Sequence, residues 1–271
     1  MNTDEIIKEA LNLVNMKELP MDSAIYVPGE KIQSILYGID IGSAELLYAK
    51  ENNYDCVIAH HPIGCVDAWR VFLWHIPQLK SKGISSNEAD EIVQRKANIL
   101  KFGFHARNYD GVPSLARELN LPFINIHSPS DELGRRMIQG AIEGLHKQQE
   151  DIELKDIGPY LEKKFIEFEK AQTRVEIAKG KANDLLGNFI FSHGALTNGG
   201  FELAEAYYRH GVDTVIYIHI SPPDLSRIKA LDTGQLIITG HLASDSVGIN
   251  PLLDRLSDHG CEITAIGGLI R

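Results

Sequence analysis

Apolar positions along the chain switch between a helical and a strand period, and the switching predicts an α/β protein. Ile6, Ile7, Ala10, Leu11 and Val14 recur at helical spacing behind Thr3 and Asp4, which suit a cap, so a helix is expected over 4–15. The run Ile35-Leu36-Tyr37-Gly38-Ile39 is short and continuous and stops at Asp40, as a buried strand does. A helix is expected over 43–52, then a second strand, Asp55-Cys56-Val57-Ile58-Ala59, which Pro62 closes. Strand, helix, strand in that order implies a parallel pair with a right-handed crossover. Residues 67–98 read as two helices. The first carries the apolar stripe Val66, Trp69, Phe72 and Leu73 and ends near Pro77; the second starts at Ser85-Ser86-Asn87-Glu88. A helix over 113–120 and a strand over 122–127 follow.

Ser128-Pro129-Ser130-Asp131 reads as a turn or linker, and the Lys/Glu-rich stretch 147–170 as a solvated helix face. Beyond it, strands are expected at 173–178, 188–192, 213–220 and 235–239, a helix at 200–210, a last helix at about 247–259 and a final strand at 261–266. The halves share a rhythm. Gly38-Ile39-Asp40, a helix and Val57-Ile58-Ala59-His60 are echoed by Phe191-Ser192-His193-Gly194, a helix and Val215-Ile216-Tyr217-Ile218-His219. Two related α/β lobes are expected, one from residues 1–127 completed by 235–271, the other from 128–234.

Composition narrows the function classes. With 271 residues and 44% hydrophobic content the chain can bury a large core. The net charge is −10 and no Lys/Arg-rich stretch occurs, which argues against nucleic acid as a main partner. Three cysteines, Cys56, Cys65 and Cys261, and a polar, acidic start fit a reducing cytoplasmic compartment. No apolar run reaches the roughly 18 residues that a membrane helix needs.

The chemistry concentrates where apolar runs end. His60 and His61 close one run, His105 and Asp110 follow Ile99–Phe104, and His241 and Asp245 follow Leu236–Gly240. Adjacent residues on an extended segment point to opposite sides, so His60 and His61 suit two ions better than one. His241 and Asp245, four apart, share a face if a helix starts there. Six such residues on one sheet rim could hold two metal ions bridged by a carboxylate. Imidazole with carboxylate suits Zn, Fe, Mn, Co or Ni. A single histidine at a strand end is more often a hydrogen-bonded polar residue, and His193 and His219 are read that way. Asp40 either forms its turn or orients a ligand histidine. Cys65 reads as a loop thiol, and the glycines of Ser192–Gly200 as a tight turn lacking the Gly-Lys-Ser/Thr ending of a P-loop.

Asp40 after a strand, His60-His61-Pro62, a His…Asp pair near residue 105, and Gly240-His241 with an acid four on resemble the Nif-three-like family, whose members are also described as GTP cyclohydrolase I type 2 homologues or dinuclear metal-binding proteins. The resemblance spans nearly the whole chain. It implies a two-lobed α/β fold, a two-metal site and a homohexamer. It assigns His60, His61, Asp110, His241 and Asp245 as metal ligands and places His105 near the site. Two departures stand out: His105 and Asp110 are five apart where the family spacing is four, and Asp245 replaces the usual Glu. The expected function is a metal-dependent hydrolase acting on a small nucleotide-like, phosphoester or cyclic amide substrate, with His105 as a proton shuttle. The alternative is a non-catalytic metal-binding, metal-delivery or scaffold protein. No distinctive guanine-binding pattern supports GTP ring opening.

Overall fold

The computed structural model describes residues 1–149 and 151–271. In chain order the first elements are α1 (Thr3–Val14), β1 (Ala24–Val27), β2 (Ser34–Gly38), α2 (Ser43–Glu51) and β3 (Cys56–Ala59). A 3₁₀ turn (Ala68–Trp74) leads into α3 (His75–Ser81), α4 (Ser86–His105), α5 (Gly111–Glu118) and β4 (Phe123–Asn125). Next come α6 (Ser128–Gln148), α7 (Leu154–Lys164), α8 (Ile166–Lys170), β5 (Glu176–Lys179), β6 (Phe189–Phe191) and α9 (Gly200–Arg209). The chain ends with β7 (Thr214–Tyr217), α10 (Pro222–Lys229), β8 (Gln235–Ile238), α11 (His241–Asp258) and β9 (Glu262–Ile266).

Two sheets form, in the orders β1-β4-β3-β2-β9 and β5-β8-β7-β6. In the first, only β1 runs antiparallel, against β4; in the second, only β5 does, against β8. The lobes therefore repeat the same plan, an antiparallel edge strand followed by three parallel strands, and β9 extends the first. Parallel strands covered on both faces are buried throughout, as β3 and β7 are. The chain returns to the first sheet later than position 235 suggests. β8 pairs with β5 and β7, so residues 235–238 belong to the second sheet, and α11 carries the chain back to β9.

Residues 68–105 also depart from simple chain order. Phe72, Leu79, Ala89, Val93 and Ala97 pack with Leu203, Tyr207 and Tyr217, so this helical excursion from the first lobe covers the second sheet. Burial of each of the larger side chains, Phe72, Leu79 and Val93, contributes about 1.5–3 kcal/mol. The most extensive helix–helix contact is between α6 and α11. Both helices start directly after the parallel strand that borders the antiparallel edge strand of its sheet, α6 after β4 and α11 after β8. Ser128-Pro129-Ser130-Asp131 is thus the first turn of α6, not a linker. Proline fits a first helical turn because no partner is lost for its missing N–H. The last helix likewise begins at His241 rather than near 247. Among the described residues, no helix is long and apolar enough to cross a membrane.

Candidate metal centre

The parallel strands of both sheets deliver their C-terminal ends to one cavity. From the first sheet come Asp40 after β2, His61 after β3 and His127 after β4; from the second, His193 after β6, His219 after β7 and His241 after β8. Strand exits are the usual ligand-binding rim of parallel sheets. Here two rims face each other. The first turns of α6 and α11 add Asp131 and Asp245, each one helical turn beyond a histidine at the helix start.

At the centre, His60 Nε2 lies 3.2 Å from Asp131 Oδ1 and 3.7 Å from Asp245 Oδ2. His61 Nε2 is 3.6 Å and His241 Nε2 3.1 Å from the same Asp245 Oδ2. His127 Nε2 is 3.4 Å from Asp131 Oδ2, and His193 Nε2 is 3.7 Å from Asp131 Oδ1. The opposite ring nitrogens are anchored. His60 Nδ1–H donates to the Ile126 carbonyl at 3.1 Å, His61 Nδ1–H to Asp40 at 2.7 Å, and His127 Nδ1–H to the buried Asp22 at 2.7 Å. Anchoring Nδ1 fixes the tautomer and leaves Nε2 facing inward, as metal-binding histidines require.

The electrostatics agree. Burial pushes the Asp245 carboxyl up, but the imidazoles of His241 and His61 that face it hold it well below the usual range. Burial opposes ionisation of Asp131 too, and the neighbouring His127 and His193 outweigh it. His127 is drawn down by burial and driven up to about 9 by Asp131 and Asp22. His219 is lowered to about 4 by burial and by His241 beside it. Two buried carboxylates thus demand positive charge, which protonated imidazole supplies when no cation does.

A transition metal fits this donor set. His60 Nε2, Asp131 Oδ1, Asp245 Oδ2 and His193 Nε2 are buried without a hydrogen-bond partner among the described residues. Two atoms each about 2.0–2.2 Å from one ion, at right or tetrahedral angles, lie about 2.9–3.5 Å apart, close to the separations found here. Three groups have ligand atoms within 4.8 Å of one another: His60 with His61 and His127, His61 with His241 and Asp245, and His60 with Asp131 and Asp245.

His60, His61, His241 and Asp245 therefore come together, while Asp110 and His105 do not. The apolar run Ile99–Phe104 is no strand but the last turns of α4, so His105 ends a helix on the exposed surface. Asp110 is exposed, stands before α5 and pairs with Arg117. His127 and Asp131 stand in the cluster instead. Their four-residue spacing equals that of His241 and Asp245, which was the available signal. His193 and His219, expected as ordinary strand-end residues, line the cavity. Asp40 contacts His61 directly, the orienting role considered for it. Cys65 lies beside Tyr26 and Asn125 in a loop, in none of these groups.

The cavity has a volume of about 440 Å³. Its floor is the His/Asp cluster and its upper wall is largely apolar. Leu196 in that wall has φ 70°, a left-handed conformation that disfavours a leucine.

A family model described as Duf34/NIF3 (NGG1p interacting factor 3) matches residues 23–267. A NIF3 superfamily protein from Sphaerobacter thermophilus is similar over 99% of both chains, with 39% identity and a TM-score of 0.93. Reduced HcgD from Methanocaldococcus jannaschii shares the fold at 14% identity over 98% of this chain and 97% of its own, TM-score 0.56. The Staphylococcus aureus hypothetical protein SA1388 does so at 15% identity over 98% and 96%, TM-score 0.54. No curated protein matches the chain.

Proposed function

Because the chain belongs to the Duf34/NIF3 family, we propose that its His/Asp cluster holds two divalent transition-metal ions and that the protein is a metal-dependent hydrolase of a small substrate. The observation that carries this reading is the position of Asp245. It belongs both to the group with His61 and His241 and to the group with His60 and Asp131, as a bridging carboxylate would. Bound ions would supply an activated water and polarise a carbonyl or phosphoryl oxygen.

The chain's own residues do the rest. His60, Asp131 and Asp245 form one donor set; His61, His241 and Asp245 form the other. Asp40, Asp22 and the Ile126 carbonyl aim the imidazoles. Asp245 reaches as the shorter acid because α11 starts at His241 and lies directly against α6. The cavity above the cluster favours catalysis over a purely structural centre, since structural sites are closed by protein ligands. We also propose a homo-oligomer, up to the hexamer the sequence resemblance implies. The exposed apolar side chains Ile99 and Phe102 on α4 support burial against another subunit.

Elemental analysis of tag-free protein tests the centre: about two transition-metal ions per chain are expected, and loss of both in the His60→Ala, His241→Ala double variant. Undiminished metal content in a folded double variant overturns the assignment. Activity panels of phosphoesters and cyclic amides, with and without chelator, then test hydrolysis.

A further inference from the structure

Among the described residues, Arg107 is the one lysine or arginine lining the cavity. Every other arginine of the chain forms an ion pair with a carboxylate, and Arg107 alone forms none among the described residues. In a chain of net charge −10 with 37 acidic residues, an arginine left without a carboxylate is an exception that asks for a cause. Its guanidinium lies 4.2 Å from the centroid of the Phe104 ring, so the planar group is held against an apolar wall while its N–H edges stay open. Ile41, Pro62, Ile63, Leu100, Leu196 and Ile218 are the other apolar residues that line the cavity with Arg107 and the His/Asp floor.

We infer that Arg107 is the anion-recognition end of the cavity: its ligand carries a carboxylate or phosphate at one end, an apolar or planar body against the wall, and its reacting group at the floor. This rests on the metal-centre reading above, because the floor holds the reacting end. Divalent ions there offset the charges of Asp131 and Asp245, and the third carboxylate of the lining, Asp40, is committed to His61, which leaves Arg107 as the unpaired charge of the cavity. A guanidinium binds carboxylate and phosphate through paired N–H donors, and Arg107 is exposed, so those donors are accessible to such a ligand. The inference separates anionic substrates from neutral cyclic amides.

Metal-binding hydroxamates separate the two claims. Benzohydroxamate probes the floor alone; its 4-carboxy, 4-carboxymethyl and 4-phosphono derivatives add an anion at increasing reach. Titrated into metal-loaded protein, at least one derivative is expected to bind about tenfold or more tighter than benzohydroxamate. That gain should vanish in Arg107→Gln and persist in part in Arg107→Lys, with benzohydroxamate affinity and metal content unchanged in both. If no derivative gains in the wild type, or if the gain survives in Arg107→Gln, the anion site is wrong and the metal centre stands. If benzohydroxamate itself fails to bind loaded protein, the open metal floor is wrong and the inference falls with it.

Discussion

Gly134 on α6 and Gly248 on α11 meet backbone to backbone: a Cβ on Gly134 would stand 3.3 Å from the Gly248 nitrogen, and one on Gly248 would stand 2.8 Å from the Gly134 nitrogen and overlap the Ser130 carbonyl oxygen. This crossing sets the spacing of Asp131 and Asp245, because each lies within one turn of it. Gly248→Ala must push the helices apart, and overpacking of this kind costs about 1–3 kcal/mol. It should also weaken metal binding, since both carboxylates ride on the helices that move. Gly140→Ala is the control. It lies on the same α6 with nothing within 4 Å of its would-be Cβ, so it should stabilise by up to about 1 kcal/mol. Chemical denaturation of the metal-free proteins decides; equal stability of Gly248→Ala and wild type would refute the close-crossing argument.

Asp245 should matter more than Asp131. Its Oδ2 faces His60, His61 and His241, whereas Asp131 faces His60, His127 and His193. Asp245→Asn is expected to remove all bound metal, and Asp131→Asn about half. Asp110→Asn should leave metal content at the wild-type value, because Asp110 is committed to Arg117 on the surface. Elemental analysis of the three variants ranks them, and loss of metal in Asp110→Asn would restore the ligand that the sequence resemblance assigned.

That contrast shows what the sequence reveals and where it stops. His60-His61 and Gly240-His241 sit after strands whose apolar runs are plain, so their place on the rim follows from local pattern. His127 follows a strand of only three residues, and Ser128-Pro129 carries the composition of a turn as well as of a helix start. Local pattern cannot separate those two, and only the four-residue spacing it shares with His241 and Asp245 marks the His127–Asp131 pair. Ile99–Phe104 misleads in the opposite sense: the apolar run continues a helix that began at Ser86, whose earlier residues Ala89, Val93 and Ala97 pack against the other sheet while Ile99 and Phe102 stay exposed. Which sheet a helix covers is decided by long-range packing. The doubled rhythm of the two halves was legible; that both rims meet at one cavity was not.

Asp40 tests the support around the centre. It is exposed, yet its carboxylate accepts from His61 Nδ1 at 2.7 Å. Removing such a partner lowers metal affinity about 10–100-fold. Asp40→Ala should show this drop in competition with a chelating dye while its melting temperature in the metal-free state stays within about 1 °C of wild type. Asp40→Asn should retain part of the affinity, because an amide oxygen still accepts from Nδ1. An unchanged affinity in Asp40→Ala would reduce the contact to an incidental surface pair.

His75 gives the protein a pH-dependent weakness away from the metal-binding side chains. The ring is fully buried, packs edge-on against Phe72 and donates from Nε2 to the Thr197 carbonyl at 2.7 Å. Burial lowers its pKa to about 4, and the bond to the Thr197 carbonyl only partly opposes that. The sign follows from proton binding. Between the ordinary histidine value of about 6.5 and the folded value, the unfolded chain binds more protons, so stability falls as pH drops through that window and levels off below it. The full cost is roughly 3 kcal/mol, about 2 of it reached by pH 5. For a chain of this length, 2 kcal/mol corresponds to about 3–4 °C in Tm. His75→Gln keeps a donor for Thr197 but does not titrate, so its Tm should fall less than that of wild type between pH 7 and pH 5. Calorimetry of the metal-free proteins at both values measures the difference, and parallel falls in Tm would mean that His75 is not buried in its neutral form.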